Sequence, residues 1–222
     1  MSAHLIAEQG WSYKELWEGA ILASIAHAIF VADAPELAHE NSWDGFNYNF
    51  NDSQGIRGTI TFHPDFFVAA FRNDEVLADS LNFEDYFHQA PKKVLQLAEE
   101  EALQYLLDDV RGKTLPSITT IIWGEKEQTF SSHRFDEMLE NGGKILAIQS
   151  MNVTESLKAC EEEFEFTQEQ LMLLKKLYHL KIAQPNEKIT LNQSDIEAIG
   201  SKNEEGINES KILFAEIGIE WI

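Results

Sequence analysis

From Phe46 to His63 the polarity of the side chains alternates almost residue by residue, and that period of two leaves few structures open. Phe46, Tyr48 and Phe50 interleave with Asn47, Asn49 and Asn51, the turn-forming run Asp52-Ser53-Gln54-Gly55 follows, and Ile56, Gly58, Ile60 and Phe62 then interleave with Arg57, Thr59, Thr61 and His63. Successive side chains of a strand point to opposite faces, so the segment reads as a β-hairpin with one apolar and one polar face. Pro64-Asp65 makes a second turn. Phe66 to Arg72 is apolar on both faces, as in a strand covered on both sides. The three strands predict a meander.

Helical periodicity flanks this core. Ser12 and Glu15 have capping-box spacing, and Leu16, Trp17, Ala20, Ile21, Ser24, Ile25, Ala28 and Ile29 recur at helical intervals, predicting a helix from Tyr13 to Ala32 that is packed on more than one side. Asn82 can cap a short turn, and Pro91 opens a helix whose stripe runs from Val94 to Leu107 and stops at Gly112. Ile118–Trp123 and Gln128–Ser131 read as strands, Arg134–Glu140 as a short helix, and Lys144–Gln149 as a strand. After Ser150 the strand signal fades. Thr154–Phe164 and a helix capped by Thr167 and Gln170 precede two short helices that end in Ile217–Ile222.

The expected fold is therefore α+β: a mainly antiparallel sheet of about five or six strands covered by helices, with a mostly helical C-terminal region. Residues 1–150 would form the α+β core. Residues 151–222 would either pack on the sheet or form a small subdomain.

Charge bears on partners. The 222-residue chain carries 38 Asp and Glu against 17 Lys and Arg, a formal net charge of −21, and its first eighty residues hold only Lys14, Arg57 and Arg72 as bases. Such a field repels nucleic-acid phosphates and anionic membranes and draws basic partners. The apolar stretch Gly19–Ala32 is too short to span a bilayer, for which about twenty apolar residues are needed. Cys160 is the only cysteine, and Met1-Ser2-Ala3-His4 lacks the basic region of a signal peptide, which together suit a reducing, cytoplasmic setting. Glu161, Glu162 and Glu163 beside Cys160 argue against a reactive thiolate.

No phosphate loop, dinucleotide fingerprint, GxSxG elbow, HExxH or paired cysteines occur, and nothing calls for a cofactor. Three groupings remain as candidate sites. The polar hairpin face, Asn47, Asn49, Asn51, Arg57, Thr59, Thr61 and His63, offers amides, hydroxyls and a guanidinium for binding. His63 and Asp65 could form an acid–base pair at a strand end, and His88 and His133 stand three or four residues from carboxylates. Glu84, His88, His133 and Glu137 would be the metal ligands if one is held.

The leading expectation is a non-enzymatic, acidic protein-binding or inhibitory module for a basic partner, in the manner of bacterial-type immunity or antitoxin proteins. A small hydrolase or metal-dependent enzyme using the histidine–carboxylate pairs is the alternative, and a scaffold subunit of an assembly is a third.

Overall fold

The computed structural model describes residues 3–6, 10–80, 82–110, 112–125 and 127–221. It is an α+β fold. In chain order the elements are β1 (His4–Ile6), α1 (Tyr13–Val31), β2 (Asn41–Asp44), β3 (Asn47–Asn51), β4 (Ile56–His63), β5 (Phe66–Asn73), α2 (Lys92–Glu100), β6 (Leu107–Val110), β7 (Lys113–Pro116), β8 (Thr120–Glu125), β9 (Gln128–Ser131), α3 (Phe135–Glu140), α4 (Ala147–Ser150), α5 (Val153–Glu163), α6 (Gln168–Ala183), β10 (Ile189–Leu191), α7 (Gln193–Ile199), α8 (Glu204–Glu216) and β11 (Ile219–Trp221). Short 3-10 turns lie between several of them. No helix among the described residues is long and apolar enough to cross a membrane.

Contacts divide the chain into two compact units, each built from two segments: residues 1–14 with 46–147, and residues 15–45 with 148–222. Almost all of α1 therefore groups with the chain that follows residue 147.

The first unit holds a six-strand run of antiparallel sheet ordered β1-β9-β8-β5-β4-β3. The expected meander is its centre. Asn47 lies opposite Thr61, Asn49 opposite Thr59 and Asn51 opposite Arg57, while Ile60 pairs with Ala69 and Thr61 with Val68. The β3–β4 turn is closed by the Asp52 carboxylate, which accepts from the N–H groups of Gln54 and Ile56 at 2.8 and 2.9 Å. Gly58 on β4 lies where the Phe50 ring and the Ala70 carbonyl would meet any side chain, at 2.6 and 2.7 Å from a built Cβ. One face of β5 and β8, carrying Phe66, Val68, Ala70, Ile121 and Trp123, buries against Val94, Ala98, Ala102, Leu103 and Leu106.

Two predicted elements differ in the structure. The helix drawn to Gly112 stops at Glu100: Glu101 leaves helical geometry with φ −129° and ψ −85°, a 3-10 turn spans Ala102–Leu106, and β6 pairs antiparallel with β7. The apolar stripe stays buried in the tighter turn, and Gly112, at φ +78°, serves a hairpin instead of a helix end. Lys144–Gln149 is not a strand but a 3-10 turn, Gly143–Leu146, running into α4. The sheet edge beside β9 is already occupied by β1, and a short apolar run satisfies a buried helical turn as well as a strand.

The second unit is a helical cluster with its own core. Ile21, Leu22, Ile25, Ile29 and Val31 of α1 pack with Leu171, Leu174, Leu177, Phe214, Ile217 and Ile219. Thr167 and Gln170 form the predicted capping box of α6, and the side-chain oxygens of Asn152, Asn192 and Asn203 cap α5, α7 and α8. β10 and β11 add a short parallel pair. Lys176 reaches both carboxylate oxygens of the buried Asp195 at 2.6 and 2.8 Å and so ties α6 to α7.

Candidate functional site

The polar hairpin face is only partly open. Strand pairing puts Asn47, Asn49, Asn51, Arg57, Thr59, Thr61 and His63 on one side of β3 and β4, but that side continues into Phe66, Val68 and Ala70 beneath the Ala102–Leu106 turn. Asn47, Thr59 and Thr61 are buried, at 3%, 0% and 0% exposure. Their polar groups serve one another: Thr61 Oγ1 donates to Asn47 Oδ1 and Thr59 Oγ1 to Asn49 Oδ1, each at 2.7 Å, and Asn47 Nδ2 donates to Glu101 at 2.8 Å. These bonds satisfy asparagines whose presence in strands otherwise lacks a reason. Asn49, Asn51, Arg57 and His63 are half-buried.

His63 and Asp65 meet through the backbone. The Asp65 N–H donates to His63 Nδ1 at 3.3 Å, closing the turn, and the imidazole rests 4.5 Å from the Phe66 ring. Asp65 lines a shallow cleft of about 400 Å³ with Tyr13, Lys14, Pro64, Lys93, Glu125 and Glu127. Lys93 there pairs with Glu125 at 2.9 Å and lies over the Phe66 ring.

His133 does find a carboxylate, though not one at helical spacing. Glu137 turns back to accept the Arg134 N–H, and His133 Nε2 is 2.9 Å from Asp79, fifty-four residues earlier. Nδ1 of the same ring lies 2.9 Å from Thr120 Oγ1 and 3.0 Å from Ser132 Oγ. A carboxylate, an imidazole and a hydroxyl thus stand in line, the components of nucleophilic catalysis. Their exposure is reversed relative to that use: the Asp79 side chain is 58% exposed, while Ser132 and Thr120 are 3% and 0% exposed. What this arrangement accomplishes is to hold Asp79, and with it the loop after β5, against β8 and β9. His88 is exposed at the end of the Phe83–Phe87 turn, where Asp85 accepts from Ser80 and Asn82. Among the described residues no three His, Cys, Asp or Glu side chains converge as metal ligands, so Glu84, His88, His133 and Glu137 do not form such a group.

The loop that His133 secures forms one wall of a larger cleft, of about 430 Å³, which the sequence reading did not single out. Val76, Leu77, Phe83, Pro116 and Ile118 give it apolar walls, and Asp108 and Asp109 of β6 stand at it. The loop is fastened at both ends. Asp74 accepts from Arg57 and Arg72, both at 2.8 Å, while His133 holds Asp79 and the Tyr86 hydroxyl takes the Ser80 N–H. Burial pushes the Asp74 pKa up, but the hydrogen bonds and charges of Arg72 and Arg57 outweigh it and leave the carboxyl below its ordinary value. Asp108 and Asp109 are exposed, accept only backbone N–H groups, and meet no cation among the described residues. Sequence reasoning missed this cleft because its walls come from a loop and a hairpin with no motif of their own.

In the second unit the carboxylates are the notable groups. Glu15–Gly45 contains six Asp and Glu and no Lys or Arg. Glu36, Glu163, Glu204 and Glu205 are exposed. The Glu163 carboxyl is pushed up by partial burial and by the like charge of Glu40. Burial, with the Glu163 charge behind it, pushes the Cys160 thiol up to about 12, which leaves it protonated and unreactive. No family model, curated protein or solved structure matches the chain.

Proposed function

We propose that this protein is a non-enzymatic binding or inhibitory module, of the immunity or antitoxin type, whose acidic surface covers a basic protein partner. The observation that carries the reading is the second unit's run of carboxylates: Glu15–Gly45 holds six and no base, and the exposed Glu163 has Glu40 as a like-charged neighbour. Crowded like charges work against the isolated molecule and are relieved by a cationic partner. Complementary charge of this kind speeds encounter and selects partners more than it sets final affinity.

The test is affinity capture on the immobilised full-length protein at 50 mM and 300 mM NaCl, with the bound proteins identified and their affinities measured singly. A stoichiometric basic protein whose affinity falls at least tenfold over that range, and falls again in a Glu36→Gln/Glu163→Gln/Glu204→Gln variant, is the expected result. Binding indifferent to ionic strength counts against the proposal. The hydrolase alternative rests on the Asp79–His133–Ser132 line, and covalent labelling of Ser132 by a fluorophosphonate would put it first.

A further inference from the structure

The 430 Å³ cleft in the first unit combines two kinds of surface that one ligand chemistry satisfies together. Its volume falls within the range of about 300–1,000 Å³ over which pockets enclose small ligands. Val76, Phe83 and Ile118 offer apolar walls, and Leu77, also lining the cleft, is 93% exposed, a large hydrophobic side chain at a loop position with nothing to bury it. Asp108 and Asp109 of β6 also line the cleft, and among the described residues no cation pairs with either carboxylate. Arg72, the one base among the described residues that line the cleft, bonds Asp74 through Nε at 2.8 Å, so among those residues Asp108 and Asp109 are left without a cation.

An apolar stem ending in a cation fits such a place. Lysine and arginine side chains bury their methylenes along apolar surface and keep the charged head against carboxylates or water. A purely apolar group would leave the aspartates unanswered, and an anion would be repelled. The walls are also held ready. Asp74 is tied by two arginines and Asp79 by His133, so the loop that carries Val76 and Leu77 is fixed before anything binds.

We propose that this cleft receives a lysine or arginine side chain from a basic polypeptide. The proposal rests on the basic-partner reading and deepens it by naming a pocket and the group that enters it.

The test is titration of the ¹⁵N-labelled full-length protein with N-acetyl-arginine amide and N-acetyl-lysine amide, followed by NMR. N-acetyl-citrulline amide serves as the neutral isostere of the arginine probe. Expected are shifts of the amides of Val76, Leu77, Asp108, Asp109 and Ser117, with citrulline weaker by about tenfold, the size of a charge-assisted hydrogen bond. Asp108→Asn/Asp109→Asn keeps the side-chain acceptors that serve the backbone N–H groups and should abolish the preference for arginine over citrulline. Leu77→Ser, at an exposed position that the fold does not need, should weaken both cationic probes. Melting temperature and the amide spectrum verify that each variant is folded. Equal binding of arginine and citrulline probes, or shifts confined to other surfaces, overturns the assignment.

A fluorescent nona-arginine peptide separates the two levels. If Asp108→Asn/Asp109→Asn binds it as tightly as the wild type does, the cleft assignment falls and the basic-partner reading stands. If neither protein binds it at 50 mM NaCl, both fall.

Discussion

His27 sits within α1 at 6% exposure, and its Nε2 has no hydrogen-bond partner among the described residues. Burial lowers its pKa from 6.5 to about 4, against the opposing effect of hydrogen bonds to the backbone of Ala38 and Leu37, and His39 lowers it slightly further. The unfolded chain therefore takes up a proton before the folded protein does. The stability that a neutral His27 contributes is complete above pH 6.5 and is lost as pH falls towards 4. Between pH 7 and pH 5 the loss is about 2 kcal/mol, at 1.36 kcal/mol per pH unit below the unfolded pKa. His27→Asn keeps a donor for the backbone and cannot titrate. Urea unfolding of both proteins should show the wild type losing about 2 kcal/mol more than the variant over that interval, and parallel curves would remove His27 as the cause. The sequence shows that His27 lies on an apolar helix. It does not show that Nε2 would be left without a partner, because that depends on which chain packs above it.

At the scale of elements, close approach of backbones decides more than propensity does. Gly19 of α1 and Gly206 of α8 stand where a Cβ would come within 1.9 Å of the Gln149 carbonyl oxygen and 2.2 Å of that of Ala32. In an unconstrained helix interior, alanine would be favoured over glycine by about 1 kcal/mol. Here the sign reverses, because the atoms in the way are backbone and cannot rotate aside. Gly19→Ala and Gly206→Ala should each cost about 3 kcal/mol in chemical denaturation, and a gain in stability for either would mean that the helix contact is looser than described. The same contrast runs through the elements themselves. The β3–β5 meander and the capping box at Thr167 and Gln170 were legible because their signals are local: alternation, turn residues, and an oxygen three residues from an orphan N–H. The three-residue strands β1, β10 and β11 were not, since each exists only through a partner elsewhere in the chain. Nor was the early end of α2, which the packing of Leu103 and Leu106 under the sheet imposes.

Over the whole molecule the net charge of −21 works against compactness, since folding brings like charges together. Shortening the screening length from about 14 Å to about 4 Å, by raising NaCl from 0.05 to 0.5 M at pH 7, should therefore raise the unfolding free energy by about 1 kcal/mol. Urea titrations at the two salt concentrations measure this directly, and a fall in stability with salt would point to attractive ion pairs as the dominant electrostatic contribution. Charge, the α+β class and the core meander follow from the sequence alone, because composition is additive and hydrophobic period is read between near neighbours. The tertiary structure decided what those elements are used for. It turned the polar hairpin face partly inward, with Asn47, Thr59 and Thr61 bonded to one another and to Glu101. It gave His133 a carboxylate from a distant loop, and it brought that loop together with the Asp108–Asp109 strand to line one cleft. Each of these depends on long-range contact, and a side chain's chemistry is set by the neighbours that folding brings to it, which no local pattern in the chain encodes.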